Sequence, residues 1–311
     1  MEEVVYKPEG SLINTPENRE SVISVAAMER AREYGKILEA RALVCDGEHN
    51  LLIDLGVIKG VIPRAEAALG IADGSVRDIA IITRVNKPVC FKVEKITRQA
   101  DGCPLAVCSR RAAQQECKEH IFKSFKKGAV IDAKITHLEP FGAFADIGCG
   151  IVALITIDNI SVSRISHPKD RFYAGQPIKA VIKDIDEIGE RITLSHKELL
   201  GTWEQNAGRF ATGQTVAGII RSIEDYGIFV ELTPNLAGLA EYREGLRIGQ
   251  STAVYIKSII PEKMKIKLSI IDAFENDLGS NSGQYFIKEG HIDRFIYSPP
   301  QCSKVIETVF E

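Results

Sequence analysis

The stretch "KKGAVIDAKITHLEPFGAFADIG" (126–148) decides the fold, because its pattern returns as "ATGQTVAGIIRSIEDYGIFVELT" (211–233). Each copy has a glycine, an alternating apolar run, a second glycine between two aromatic residues, and an acidic residue before a turn. The copies also end alike, in "YAGQPIKAVIKDIDEIGERITLS" (173–195) and "RIGQSTAVYIKSIIPEKMKIKLS" (247–269). Alternation with a period of two residues is typical of strands, about five in each copy. A repeat of this kind predicts a small antiparallel barrel.

A fainter third copy precedes these two. The segment "GKILEARALVCDGEHNLLIDLG" (35–56) aligns with the start of the second copy, with His49 in the place of Phe141 and Leu52 in that of Phe144. The first copy therefore shares the strand pattern but lacks the ring pair.

Segments of helical periodicity lie before and between the barrels. Residues 15–35, with a threonine cap and a proline at the first helical position, predict one amphipathic helix. Residues 109–125 and 195–210 each begin with a serine in a capping position and predict short connecting helices. The apolar residues of 291–310 are compatible with a strand pair that packs back on the chain.

We therefore expect an all-β protein of three tandem five-stranded OB-like barrels joined by short helices, with an N-terminal helix and a C-terminal extension. The predicted domains are a helical lead (1–34), a divergent barrel (35–119), a barrel with the ring motif (120–203), a shortened barrel with the same motif (204–273) and the extension (274–311).

The composition narrows the class of protein. Hydrophobic residues make up 45% of the chain and charged residues 26%, as in ordinary soluble domains. The apolar runs fall well short of the roughly 20 residues that cross a bilayer, so we expect no membrane association. Seven cysteines spread through apolar segments are typical of thiols in a reducing compartment, which predicts a cytoplasmic protein. Because the net charge is −3, any contact with nucleic acid must come from local basic patches.

The ring pairs flank glycines in strand-like sequence. Residues i and i+3 of a strand face opposite sides, so Phe141 and Phe144 would be separated without a local irregularity. A bulge at Gly142 would bring both rings to the outward face, and Tyr226 with Phe229 would repeat the arrangement. Exposed rings form a platform on which successive bases of a single strand stack, worth about 1–3 kcal/mol per base. The alternative interpretation is that one ring of each pair belongs to the core.

At this point the chain resembles a known family, the RNA-binding repeat named after ribosomal protein S-one. The resemblance covers roughly 35–272 and is clearest in 126–200, where "FGAF", "HPKDRFYAGQPIKAVIKDID" and "GERITLSHK" follow the family pattern. One divergent barrel followed by two better ones is similar to bacterial ribosomal-protein-S-one-like proteins.

The resemblance implies roles for particular residues. Phe141 and Phe144 would stack on bases, while Arg191 and Lys197 would approach phosphate. Asp186 would lie in the turn beside Arg191 and orient it. The matching positions in the third repeat are Tyr226, Phe229, Lys265 and Lys267. The loop 159–173 would add a cationic rim, unless it is an ordinary solvated loop; its basic residues are Arg164, His167, Lys169 and Arg171.

The sequence also departs from the family pattern. A histidine often follows the third strand of the repeat, and the corresponding residues here are Thr156, Glu241 and Pro63. Glu241 would repel phosphate, so we expect weaker binding by the third repeat. The first repeat has Leu105 in the place of Arg191, although its basic segment 83–98 could meet RNA or a protein.

Motifs of catalysis are missing from the sequence. It contains no phosphate-binding glycine loop with Lys-Ser/Thr, no His-Glu-x-x-His and no Gly-x-Ser-x-Gly. We interpret the loosely zinc-like cysteines between 103 and 117 as structural thiols, and His137 and His196 as surface or packing residues. We therefore expect no enzyme, no cofactor and no metal site.

The sequence thus predicts binding of single-stranded RNA, such as messenger RNA, with the second barrel dominant. Handling of messenger RNA in translation, with the small ribosomal subunit as a partner, follows from the resemblance alone. One alternative is a protein-docking module of a ribosome- or nuclease-associated complex with little RNA affinity. The acidic total favours this alternative and the repeated ring pair disfavours it. An enzyme of RNA turnover is a third possibility, for which the sequence offers no catalytic site.

Overall fold

The computed structural model describes residues 6–99, 102–275 and 283–311. Within them the strands form three closed five-stranded barrels, as the repeats predict. The first barrel contains β1 (Leu38–Cys45), β2 (Leu51–Asp54), β3 (Lys59–Ile62), β4 (Pro88–Arg98) and β5 (Pro104–Ser109). The second contains β6 (Val130–Glu139), β7 (Gly142–Asp146), β8 (Val152–Thr156), β9 (Pro177–Asp186) and β10 (Arg191–Ser195). The third contains β11 (Thr215–Glu224), β12 (Gly227–Thr233), β13 (Leu236–Ala240), β14 (Ser251–Ile260) and β15 (Lys265–Phe274).

All three barrels share one topology. The first three strands form an antiparallel meander, and the last strand closes the barrel by pairing in parallel with the third. The chain divides into two compact units, residues 1–125 with 146–152 and residues 126–145 with 153–311.

The short helices begin at capping side chains, as the sequence predicts, but their number differs. The single N-terminal helix predicted over 15–35 is instead two helices, α1 (Pro16–Val22) and α2 (Val25–Glu33). The break occurs because the Ser24 hydroxyl accepts a hydrogen bond from the backbone N–H of Ala27 and starts a new helix. The other α-helices are α3 (Ile79–Ile82), α4 (Arg110–Ser124) and α5 (Trp203–Ala207).

The α-helices of the connecting segments also begin at capping side chains. Ser109 caps α4 as predicted, whereas α5 is capped by Thr202 rather than by the serine at 195. A short 3-10 helix, Lys197–Leu200, fills the space between β10 and α5. None of the helices in the described parts of the chain has the length and hydropathy of a membrane span.

The C-terminal extension forms the predicted strand pair, β16 (Arg294–Ile296) with β17 (Glu307–Val309). Apolar residues of this hairpin are buried in the core of the third barrel together with the linker between the second and third barrels; they include Phe295, Tyr297 and Phe310 beside Leu199 and Trp203. The Tyr297 hydroxyl donates to the carbonyl oxygen of Asn235 at 2.6 Å. The extension is therefore an integral part of the second unit.

His196 is fully buried, so it is a packing residue and not a surface residue. Its Nδ1 lies 2.9 Å from the carbonyl oxygen of Ile160 and its Nε2 lies 3.1 Å from the Tyr285 hydroxyl. A carbonyl oxygen only accepts, so Nδ1 carries the proton and Nε2 accepts from Tyr285. The Tyr285 oxygen in turn accepts from the backbone N–H of Lys179. The network holds a neutral imidazole in one tautomer.

This burial predicts a pH-dependent stability. Desolvation lowers the pKa of His196 from 6.5 to about 4, so the unfolded chain binds the proton more readily than the folded chain. Stability is therefore lost as pH falls from about 6.5 toward 4, by about 3 kcal/mol at most. We expect His196→Asn, which keeps a donor for Ile160, to remove this component in urea titrations at pH 7.5 and 4.5. Equal acid losses in the two proteins would contradict the assignment.

Candidate nucleic-acid interface

The first aromatic residue of each pair lies in a tight turn and not in a strand. Phe141 follows Pro140 in the turn between β6 and β7, and Gly142 opens β7 directly after it. The predicted bulge at the glycine is therefore wrong. In the third barrel Gly227 pairs regularly with Glu224, and the register irregularity lies on β11 instead. The turn, not a bulge, frees the first ring from the strand alternation.

The glycine has a different role from the one that the sequence suggested. A Cβ atom at Gly142 would lie 2.4 Å from the carbonyl oxygen of Ile155, and one at Gly227 would lie 2.5 Å from that of Ala240. Such distances require a backbone shift. Glycine therefore lets the third strand of each barrel approach the start of the second.

The two rings of each pair contact each other on the outer surface. The centroids of Phe141 and Phe144 are 6.0 Å apart with an interplanar angle of 88°, and those of Tyr226 and Phe229 are 6.2 Å apart at 88°. Edge-to-face contact at this distance is favourable. Phe141 is 56% exposed and Tyr226 is 70% exposed, while the second ring of each pair is half-buried. None of the four rings is therefore fully buried in a barrel core.

A third ring joins the pair in the second barrel. The imidazole of His137 lies parallel to Phe144, with centroids 6.3 Å apart and an angle of 25°, and its side chain is 62% exposed. Its Nε2 lies 2.5 Å from a carboxylate oxygen of Glu139. The sequence pattern predicts only a surface or packing role for His137, so its contact with Phe144 is a new finding. We call Phe141, Phe144 and His137 the ring platform.

Two lysines lie beside the ring platform, at the end of β8. The backbone N–H of Ile157 donates to the carbonyl oxygen of Phe141 at 2.9 Å, which ties this end to the turn that carries the ring. Lys197 Nζ donates to the carbonyl oxygen of Asp158 at 3.1 Å, and Lys183 Nζ donates to Asn159 Oδ1 at 3.0 Å. Lys197 was predicted from the sequence, whereas Lys183 was missed.

The carboxylate of Asp158, just after β8, has a hydrogen-bond donor and two lysines near it. The Thr156 hydroxyl donates to the carboxylate of Asp158 at 2.5 Å. This hydrogen bond, together with the charges of Lys197 and Lys183, lowers the pKa of Asp158. The carboxylate therefore stays ionised within a cluster that holds two lysines.

The third barrel presents a similar row of side chains with one important difference. Phe229 pairs across the sheet with Leu239, which pairs with Lys267, so the ring and the lysine share one row. The repeat alignment places Lys257 where the second barrel has Lys183. Lys257 Nζ lies 2.8 Å from Glu241 and lowers the pKa of that carboxyl. One cation of the third barrel is therefore neutralised by its own neighbour.

The remaining basic residues predicted to bind RNA differ in their exposure to solvent and in their hydrogen-bond partners. Lys169, Arg191, Lys265 and Lys267 are exposed. His167 is half-buried, and its Nδ1 accepts a hydrogen bond from the backbone N–H of Lys169, so the ring caps a short 3-10 helix. Asp186 lies opposite Arg191 in the ladder, but its carboxylate accepts from the backbone N–H of Gly189.

The prediction for Arg171 is wrong. Its side chain is fully buried and pairs with Glu231 of β12, which also accepts from Arg221 Nε at 2.8 Å. Arg221 in turn lies 3.5 Å from Asp170. Burial lowers the pKa of Arg171, and its Nε has no hydrogen-bond partner within the described residues. Arg171 joins the loop of the second barrel to the third barrel and does not form a rim.

The first barrel carries aliphatic residues on the equivalent face. Val44 pairs with Leu52, Leu52 with Val61, and Val61 with Val107, which gives one row across four strands. Val44 is 49% exposed and Leu52 39% exposed. We call this row the aliphatic face. These four residues include no aromatic ring, and the exposed Lys95 of β4 pairs with Val107 at the end of the row.

Metal chemistry finds no support in the described segments, where no group of three or more His, Cys, Asp or Glu residues is arranged to hold an ion. Of the cysteines in these segments, Cys90, Cys108, Cys117 and Cys149 are buried.

Comparisons with known proteins show similarity to RNA-binding and ribosomal proteins. The S1 RNA binding domain family matches residues 124–197, which contain the ring platform and both lysines. Small ribosomal subunit protein bS1 of Staphylococcus aureus (strain COL) is 29% identical over 285 residues, which cover 86% of this chain and 70% of that protein. The bS1 homolog of Bacillus subtilis (strain 168) is 32% identical over 168 residues, or 53% of this chain and 42% of that protein.

Two solved structures are also similar in part, at low TM-scores. The archaeal a/eIF2alpha-aDim2p-rRNA complex from Pyrococcus horikoshii OT3 matches 27% of this chain and 51% of its own at 21% identity and a TM-score of 0.24. A multidomain protein with nucleic acid binding domains from Streptococcus pneumoniae matches 76% and 74% at 11% identity and a TM-score of 0.24.

The assignment rests on the sequence matches. The second barrel matches the S1 RNA binding domain family, and the chain is similar over most of its length to small ribosomal subunit protein bS1.

Proposed function

We propose that the chain binds single-stranded RNA, with messenger RNA during translation as the substrate, chiefly through the second barrel. The observation that carries the proposal is the ring platform beside Lys183 and Lys197. Ring faces stack on any base and lysines neutralise any phosphate, so this arrangement binds single strands with little sequence preference.

The number of rings and unpaired lysines on each barrel predicts its relative affinity for RNA. The second has three rings and two lysines, and the third has two rings with one of its lysines paired to Glu241. The first has the aliphatic face. RNA affinity therefore decreases from the second barrel to the third and is lowest at the first.

The biological setting follows from the relatives. Proteins similar to this chain include ribosomal proteins of the small subunit, so we infer that the chain works with that subunit in the cytoplasm. We infer that its role is binding, without catalysis or a cofactor. The ring platform supplies ring faces for stacking, and the nearby lysines supply positive charge.

The direct test is a titration of the full chain with fluorescent oligouridine at increasing salt. RNA binding predicts that the logarithm of the affinity falls linearly with that of the salt concentration, by about 0.7 for each phosphate contacted. No binding at any salt would overturn the proposal.

A second function is supported by the aliphatic face of the first barrel. Exposed aliphatic residues on a barrel, in the place where the other barrels have rings, suit contact with a protein rather than with RNA. The chain would then dock on a protein partner, such as a ribosomal or nuclease component, with RNA contact minor. The same titration separates the two functions.

Glu241 gives a finer prediction for the third barrel. In a chain that also carries Phe141→Ala and Phe144→Ala, Glu241→Thr frees Lys257 for phosphate. We expect oligouridine affinity to rise about two- to fivefold and the salt slope to steepen by about 0.7. Glu244→Thr removes the same charge from an exposed position nearby and is the matched control. Equal gains from both variants would show a general charge effect instead.

A further inference from the structure

A groove lies in the second unit, between the segment 157–165 and the C-terminal hairpin. Its volume is about 390 Å³, toward the lower end of the roughly 300–1,000 Å³ that ligand pockets span. We call it the hairpin groove. Its walls include Arg164, Lys197, Phe295 and Ile306.

Several polar side chains that line the hairpin groove already have hydrogen-bond partners within the chain. The Tyr297 hydroxyl is committed to the carbonyl oxygen of Asn235 at 2.6 Å. Ser161 Oγ donates to the carbonyl oxygen of Ser163, whose own hydroxyl donates to that of Thr233. A base that enters would therefore meet apolar surface with Phe295 and Ile306, without hydrogen bonds that select its identity.

The lining of the hairpin groove includes two cations, Arg164 and Lys197. Arg164 is exposed and forms no ion pair within the described residues. Lys197 has its ammonium at the carbonyl oxygen of Asp158. The carboxylate of Glu307, on the opposite side, is bound by Arg294 at 2.6 Å, so its charge is compensated. A phosphate would therefore be attracted to Arg164 and Lys197.

A backbone hydrogen bond connects the lining of the hairpin groove to the turn that carries Phe141. Ile157 lines the groove, and its backbone N–H donates to the carbonyl oxygen of Phe141. Lys197 lines the groove and is also one of the two lysines assigned above to the surroundings of the ring platform. A strand that stacks on Phe141 therefore reaches the groove without leaving the cationic surface.

We propose that the hairpin groove receives a further nucleotide of the same RNA strand, with its base against Phe295 and Ile306 and its phosphate at Arg164. This inference rests on the proposed function and extends it, because the C-terminal hairpin lies outside residues 124–197 that match the RNA-binding family. The hairpin would give the second barrel a longer binding site.

The test compares oligouridines of four and ten nucleotides with the full chain. The shorter strand fills the ring platform, and the longer one also enters the groove. Arg164→Glu is expected to lower the affinity for the ten-mer about five- to tenfold and to leave that for the four-mer within twofold. Lys304→Glu makes the same charge change on an exposed residue of the hairpin that does not line the groove, and should leave both affinities unchanged.

A second readout locates the strand directly. Ten-mers that carry 5-iodouridine at successive positions are irradiated on the protein, and the cross-linked peptides are identified by mass spectrometry. Adducts within 157–165 or 295–308 are expected. Cross-links confined to the barrel surface, or equal losses from Arg164→Glu and Lys304→Glu, would overturn the groove while leaving the proposed function intact. Failure of the unaltered chain to bind either strand would overturn both.

Discussion

Replacing Phe141 and Phe144 together by alanine is expected to lower the affinity for single-stranded RNA about ten- to a hundredfold. The two rings contact each other edge to face on the outer surface, and Phe144 also supports the imidazole of His137. Their removal takes away the faces on which bases stack, worth roughly 1–3 kcal/mol for the pair after partial compensation. Fluorescence anisotropy with labelled oligouridine at fixed salt measures the loss.

The matched control is Tyr226→Ala with Phe229→Ala. The rings have nearly the same geometry, but Glu241 compensates a cation of this barrel. We expect a smaller loss than from the pair in the second barrel. Since Phe141 is more than half exposed, its removal should also leave the free energy of unfolding little changed. A larger effect from the third barrel, or none from the second, would contradict the ranking of the barrels.

The barrels and the ring pairs follow from the sequence for local reasons. Alternation sets the faces of each strand, and the glycine between two aromatic residues marks the turn in both copies. The alignment of the copies also explains why Lys257 corresponds to Lys183, although Lys183 was not singled out. Even the wrong bulge at Gly142 placed the rings on the correct surface, because the turn gives the same result.

The failures of prediction come from contacts between different strands and loops. His137 has Ser222 in its place in the third barrel, so comparison of the repeats did not mark it as part of a site. Its contact with Phe144 depends on how the strands pair. Arg171 resembled a solvated loop residue, and its partner Glu231 lies on a strand of the next barrel. The Ser24 cap, by contrast, is a local signal that could have predicted two helices.

The largest effect on stability is expected from Glu231→Ala. Glu231 is the shared acceptor of Arg171 and Arg221, and the side chains of Arg171 and Glu231 are 0% and 3% exposed. Its loss leaves a fully buried guanidinium without its partner. Breaking a buried pair in this way costs about 3–5 kcal/mol. Urea titration of the full chain should show this loss in the unfolding transition of the second and third barrels.

The double variant Arg171→Met with Glu231→Leu separates packing from RNA contact. Apolar residues of similar size remove both buried charges, and Arg221 keeps Asp170 at 3.5 Å, so most of the lost stability should return. Because Arg171 is buried, oligouridine affinity should stay within twofold of the unaltered chain. A tenfold loss of affinity at restored stability would mean that Arg171 reaches RNA after all, as the loop sequence alone suggested.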